Sequence, residues 1–153
     1  QFTERNGEPF GSMELSGKIS IVNFFFANCE GPCPRMNAEV AGLYKFFSGI
    51  PDVQFISVSV DPERDSIEAL QQYALKFGVK DRRWLFLNAS IEKVKSLSEK
   101  VFMLAGGDMP SLHSTKLILV DRQKRIRGYY SSEDPESVRL LEKHIQTLIK
   151  ESR

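Results

Sequence analysis

The run Ile21-Val22-Asn23-Phe24-Phe25-Phe26 constrains this chain more than any other segment. It reads as a strand within Lys18–Phe26. Its near-continuous apolar character requires cover on both faces, as at the centre of an α/β sheet. The strand runs into Ala27-Asn28-Cys29-Glu30-Gly31-Pro32-Cys33-Pro34, where Gly31 and Pro32 break regular structure. Beyond the break, Met36, Val40, Leu43 and Phe47 recur at helical spacing, which predicts a helix over Pro34–Ser48. Pro34 suits its first turn, and Gly49 and Pro51 stop it.

The same logic orders the rest of the chain. Asn6-Gly7 marks a small N-terminal hairpin within Phe2–Phe10. Val53–Val60 alternates β-branched residues and reads as a second strand. Asp65 and Glu68 resemble a capping box ahead of a helix with Ile67, Leu70, Ala74 and Phe77 on one face, ended by Gly78. Trp84–Leu87 is a short strand, and Ser90 caps a helix with Ile91, Val94, Leu97 and Val101 inward. Thr115–Val120 and Ile126–Tyr130 form a hairpin across Asp121–Arg125. Asp134-Pro135 opens a last helix with Val138, Leu141, Ile145 and Leu148 on one face. This order predicts an α/β protein: a thioredoxin-like three-layer sandwich with an N-terminal β-hairpin and an inserted helix, forming one domain over residues 1–153.

Composition removes several function classes. The 21 Lys+Arg balance 20 Asp+Glu to a formal charge of +1, which gives no electrostatic reason to expect nucleic acid or an anionic membrane. No apolar stretch approaches the ~18 residues of a membrane span. The chain begins at Gln1 rather than Met, so it reads as processed or as a fragment that has lost an upstream signal or anchor. Two cysteines are too few for a disulfide scaffold or for a four-sulfur zinc site.

Those two, Cys29 and Cys33, stand four residues apart where a central strand hands over to a helix. A helix N-terminus favours thiolate over thiol, because its free N–H groups and dipole stabilise negative charge. A thiolate is both nucleophile and soft metal ligand, so two chemistries remain open: a dithiol–disulfide cycle, or binding of a soft metal ion. Two inert buried cysteines would be the bland alternative, and their pairing at a Gly-Pro-broken junction counts against it. The three-residue gap departs from the Cys-x-x-Cys of a standard thioredoxin.

His113 precedes the strand Thr115–Val120 and follows a loop carrying Gly106-Gly107 and Pro110. It reaches the cysteine edge only if its strand runs antiparallel to the one before Cys29. Two thiolates with one imidazole would suit Cu(I), and zinc accepts the same set with one position open. Met109 reads as a surface residue and Asp61 as turn chemistry. His144 beside Lys143, and the basic cluster Arg122, Lys124, Arg125 and Arg127, read as solvated surface, and Tyr129 and Tyr130 as lining the site's rim. A Lys124 with positive φ in the hairpin turn would cost about 1 kcal/mol.

Taken together, Asn6-Gly7, Gly17-Lys18, the apolar strand into Cys29-x-x-x-Cys33-Pro34, Ser59-Val60-Asp61-Pro62-Glu63-Arg64-Asp65, and His113-Ser114-Thr115 leading to Leu119-Val120-Asp121 resemble the Sco/SenC/PrrC family. That family comprises copper-binding, thioredoxin-fold proteins of cytochrome c oxidase assembly. The resemblance spans most of the chain in the family's order. It implies that Cys29, Cys33 and His113 bind copper, as Cu(I) with Cu(II) left open. It implies an extracytoplasmic place, periplasmic in a bacterium, with a membrane tether in the full-length protein. The implied partner is the copper-site subunit of cytochrome c oxidase, or another copper or thiol protein, and the chain is expected to be a monomer. Leu112 stands where many members carry an Asp that orients the imidazole. Two functions compete. One is a metallochaperone that delivers Cu(I) to, or maintains the cysteines of, that copper site. The other is an enzyme, a thiol–disulfide oxidoreductase in which Cys29 attacks and Cys33 resolves.

Overall fold

The computed structural model describes residues 2–4, 9–10, 12–25, 33–59, 65–79, 81, 83–88, 90, 92–93 and 116–151. Its frame is one seven-stranded mixed sheet. The strands are β1 (Phe2–Glu4), β2 (Pro9–Phe10), β3 (Ile19–Phe25), β4 (Val53–Ser59), β5 (Trp84–Asn88), β6 (Lys116–Val120) and β7 (Ile126–Ser131), in the spatial order β2-β1-β5-β4-β3-β6-β7. The helices are α1 (Cys33–Phe46), α2 (Ile67–Lys76) and α3 (Pro135–Glu151).

β3 is the centre that its apolar run demands. All seven of its residues are buried, with Phe24 and Phe25 at 1% and 0% exposure. It pairs parallel with β4, Asn23 opposite Ser57, and antiparallel with β6, Val22 opposite Ile118. β4 pairs parallel with β5. The chain steps β3→β4→β5 in one direction, so right-handed crossovers put α1 and α2 on the same face. Met36, Val40, Leu43 and Phe47 of the α1 stripe, Leu70, Tyr73 and Ala74 of α2, and Leu141, Ile145 and Leu148 of α3 join one apolar cluster with Ile19, Ile21, Phe25, Phe55, Trp84 and Phe86. Fully burying such a side chain contributes about 1.5–3 kcal/mol. The opposite face carries Val22, Phe24, Ile56, Val58, Leu85, Leu87, Ile118 and Val120, also buried, with Leu15 and Ile126 packed on it.

The N-terminal hairpin forms as expected, Phe2 opposite Phe10, and β1 adds antiparallel to β5, so the hairpin covers an edge that β5 would otherwise expose. Helix boundaries follow local chemistry. α2 is capped by Ser66, whose hydroxyl accepts the Ala69 N–H at 3.2 Å. This corrects the expected Asp65 box: the Asp65 carboxylate is buried and accepts from the Ser59 hydroxyl at 2.8 Å. α2 ends in a Schellman turn. Gly78 takes φ +72, its N–H donates to the Leu75 carbonyl, and Val79 donates to Ala74. α1 stops at Phe46, where Arg83 lies over the Tyr44 ring and donates to the Tyr44 and Phe47 carbonyls. α3 starts under Asp134, whose carboxylate accepts the Glu136 N–H. The helix expected from Ser90 lies mostly outside the described residues, but its cap is present: Lys93 N–H donates to the Ser90 hydroxyl.

Lys124, Arg125 and Arg127 of the basic cluster are exposed, as expected, and Arg122 is not; the β6–β7 turn itself is pinned from within. Asp121 is buried, and its carboxylate accepts from the N–H groups of Gln123 and Arg125 and from the side chains of Arg125 and Arg127. Arg122 is only 12% exposed in its side chain and reaches Asp52 and the Leu148 carbonyl. The turn needs a left-handed residue, and Lys124 supplies it at φ +66.

Candidate metal centre

The parallel strands β3, β4 and β5 all end at one edge of the sheet, at Phe25, Ser59 and Asn88. The helices α1 and α2 begin at that edge. Cys33 is the first residue of α1, so its backbone belongs to the turn whose N–H groups have no intrahelical partner. This is the placement that favours a thiolate. Cys29 lies outside the described residues, four positions beyond Phe25.

His113 also lies outside them, three positions before Lys116. The strand condition set by the sequence is met: β6 runs antiparallel to β3, with Ser20 opposite Val120 and Val22 opposite Ile118. β6 therefore starts at the edge where β3 ends. Three residues of chain reach at most about 11 Å from Lys116, and four reach at most about 14 Å from Phe25. Asp61, Met109 and Leu112 are likewise outside the described residues. Among the described residues, no group of three His, Cys, Asp or Glu side chains could hold a metal ion. The donor set that the sequence offers, two thiolates and one imidazole, fits Cu(I).

Asp65 stands beside this edge and holds it together. Its carboxylate takes the hydroxyl of Ser59, the last residue of β4, and its carbonyl accepts the Asn88 side-chain amide at 2.6 Å at the end of β5.

A second feature behind the edge was not legible as a site in the sequence. Five buried or nearly buried polar side chains form one directed chain of hydrogen bonds. Trp84 Nε1 donates to Ser57 Oγ (2.9 Å), Ser57 Oγ to Asn23 Oδ1 (2.6 Å), Asn23 Nδ2 to Asn37 Oδ1 (2.8 Å), and Asn37 Nδ2 to the Tyr73 hydroxyl (2.8 Å). The chain crosses β5, β4, β3, α1 and α2. The signal available was an Asn inside an otherwise apolar strand and an Asn four residues after Cys33.

Tyr130 does not line the rim. It is buried under α3, its hydroxyl 2.5 Å from His144 Nδ1. Burial pushes its phenol above the ordinary value, against the pull of Arg127. Its ring lies over Gly128, where a Cβ would come within 2.6 Å of the hydroxyl. His144 is exposed, as expected, yet is tied to β7 by this bond. Tyr129 is 43% exposed.

The fold and the placement of Cys33 define a thioredoxin-like protein with a cysteine at the start of its first helix and a second four residues before it in sequence. The SCO1/SenC family model matches residues 1–150, and the chain belongs to that family. A SCO1/SenC family lipoprotein from Bacillus anthracis superposes with a TM-score of 0.86 at 32% identity, covering 98% of this chain and 92% of its own. BsSco, described as a member of the Sco family of cytochrome c oxidase assembly proteins and as carrying a disulfide switch, matches with a TM-score of 0.86 at 25% identity, covering 99% and 91%. A protein of Stutzerimonas stutzeri named as copper-binding is 26% identical over 84% of this chain and 66% of its own length. Among the described residues no helix is long and apolar enough to cross a membrane.

Proposed function

We propose that this chain binds copper through Cys29, Cys33 and His113 and acts as a metallochaperone for the copper site of cytochrome c oxidase. The observation that carries this reading is the antiparallel β3–β6 pairing: it brings the strand before the cysteines and the strand after His113 to one edge, in a chain of the SCO1/SenC family. Copper is the cargo. Cu(I) is soft, so thiolate ligands favour it, and the imidazole completes a three-coordinate site that a partner thiolate can enter for ligand exchange. The α1 N-terminus lowers the cost of two negative sulfurs at one point.

The reading places the whole activity in one thioredoxin-like domain over residues 1–153. It acts on the extracytoplasmic side of a membrane, periplasmic in a bacterium, with the full-length protein membrane-anchored. The B. anthracis relative, a lipoprotein, supports a tether of this kind. The partner is a copper-site subunit with its own thiols, and the chain acts as a monomer. Thiol–disulfide exchange would use the same two cysteines but gives His113 no part in the chemistry, so it is the less favoured reading. Its requirement is redox cycling of Cys29 and Cys33 without metal.

The test is anaerobic loading of the reduced protein with Cu(I), followed by metal quantification. One copper per chain in the wild type, lost in Cys29→Ser and in Cys33→Ser, supports the reading. Stoichiometric copper retained by both variants overturns it.

A further inference from the structure

We infer that Asn23 and Asn37 are positioning residues for the cysteine site: the hydrogen bond between them fixes the Cys33 end of α1 against the strand that leads to Cys29. The inference rests on the function proposed above and assigns it residues outside the cysteine motif.

The geometry is specific. Asn23 is two residues from the end of β3, and Asn37 is four residues, about one helical turn, after Cys33 in α1. Both are buried, at 1% and 0% exposure. Their 2.8 Å bond therefore joins the two arms between which the segment 26–32 is strung. A disulfide needs Cα atoms about 4.4–6.8 Å apart, and two sulfurs sharing one metal ion are similarly restricted. A shift of α1 along β3 changes that separation directly.

The bond is also fixed in direction. An indole N–H can only donate, so Trp84 sets Ser57 as acceptor. Ser57 then donates to Asn23 Oδ1, which turns the Asn23 amide N–H toward Asn37 and the Asn37 N–H toward Tyr73. Rotating either amide would set like against like inside the core. Apolar contacts carry no direction of their own, so the polar bonds add directional selection to the close packing of α1. A buried amide left unpaired costs about 1–3 kcal/mol, so the network selects one register for α1.

The same two strands supply an internal control. Gln54 on β4 donates to Ser20 on β3 (2.9 Å) and to the Glu14 carbonyl (3.2 Å), also in the interior but at the opposite end of the strands from the cysteines. A general loss of buried polar bonding would act equally from either end, whereas a positioning role acts only from the Asn23–Asn37 end.

The experiment compares wild type, Asn37→Leu, Tyr73→Phe and Gln54→Leu. It measures thermal stability, the Cys29–Cys33 dithiol–disulfide equilibrium against glutathione without metal, and Cu(I) affinity by competition with a chromophoric chelator. Asn37→Leu should shift the thiol equilibrium and the Cu(I) affinity by tenfold or more, the former equal to about 30 mV. Gln54→Leu should lose stability with both site readouts within twofold of wild type. Tyr73→Phe, which deletes only the hydroxyl that Asn37 donates to, keeps the test open if Asn37→Leu does not fold, and should shift both site readouts in the same direction by threefold or more. Site readouts unchanged in Asn37→Leu and Tyr73→Phe, or changed equally in Gln54→Leu, overturn the inference while leaving the copper reading in place. A wild-type chain that does not bind Cu(I) overturns the copper reading and this inference with it.

Discussion

Val22 on β3 and Ile118 on β6 stand opposite one another in an antiparallel pair. One strand runs toward Cys29 and the other away from His113, so the strands that flank the proposed ligands, Cys33 and His113 being 80 residues apart in sequence, meet at one edge of the sheet. The cysteine pair alone serves any thiol chemistry. In the proposed site, the antiparallel neighbour is what would add an imidazole and turn a redox motif into a three-donor copper site.

Asp121 should be the residue on which the β6–β7 turn depends most. Burial works to raise its carboxyl, and the bonds from the Arg125 N–H, the Arg127 side chain, the Gln123 N–H and the Arg125 side chain outweigh that and hold it below the ordinary aspartate value of 3.8. A depressed folded value means stability that is fully present above the unfolded value near 3.8 and lost as pH falls through the folded one. Asp121→Asn should cost about 1.5–3 kcal/mol near neutral pH, the range for hydrogen bonds to a charged group. In denaturant melts the gap between wild type and Asp121→Asn should narrow as pH drops below about 4. A gap constant from pH 7 to pH 2 would contradict this account.

Lys124 carries the turn's left-handed residue without the freedom of glycine, at φ +66. Lys124→Gly should therefore stabilise the protein by about 0.5–1 kcal/mol, the relief of Cβ crowding less the extra entropy of the unfolded chain. Lys124→Ala should give no such gain. Calorimetric midpoints of the two variants decide it.

Ser66, rather than Asp65, caps α2. Ser66→Ala should cost about 1 kcal/mol and leave Cu(I) affinity unchanged. Asp65→Ala removes the carboxylate that ties the end of β4 to the start of α2 beside the site, and should lower both stability and Cu(I) affinity. Equal effects on the two readouts from both variants would contradict the distinct roles given to these neighbours.

Most of the architecture was legible because its signals are local. The Ile21–Phe26 run, the Met36/Val40/Leu43/Phe47 stripe, Gly78 and Asp134-Pro135 each state their own element, and each element lies within a few residues of where they put it. The features that the sequence hid depend on distant partners. Asp65 looks like a cap until Ser59, six residues back, takes its carboxylate. Arg122 looks like solvated charge until Asp52 and the Leu148 carbonyl meet it across the fold. Tyr130 pointed toward the site by strand direction alone, and the choice of face sent it under α3 to His144. The Asn23–Asn37 bond joins a strand to a helix across a break in regular structure, and periodicity carries no record of it. Of the site, the residue types were readable, and the meeting of the strands only as a condition. The antiparallel sense of β6 was a condition that only the sheet order could satisfy.

The central claim is that His113 belongs with Cys29 and Cys33 in one copper site. Anaerobic Cu(I) titration of reduced wild type and His113→Ala, with affinity read by chelator competition, tests it most directly. The account predicts one copper per wild-type chain and a loss of affinity by orders of magnitude in His113→Ala with the fold intact by circular dichroism. An affinity unchanged in His113→Ala would contradict it and leave the cysteine pair as a dithiol that needs no histidine.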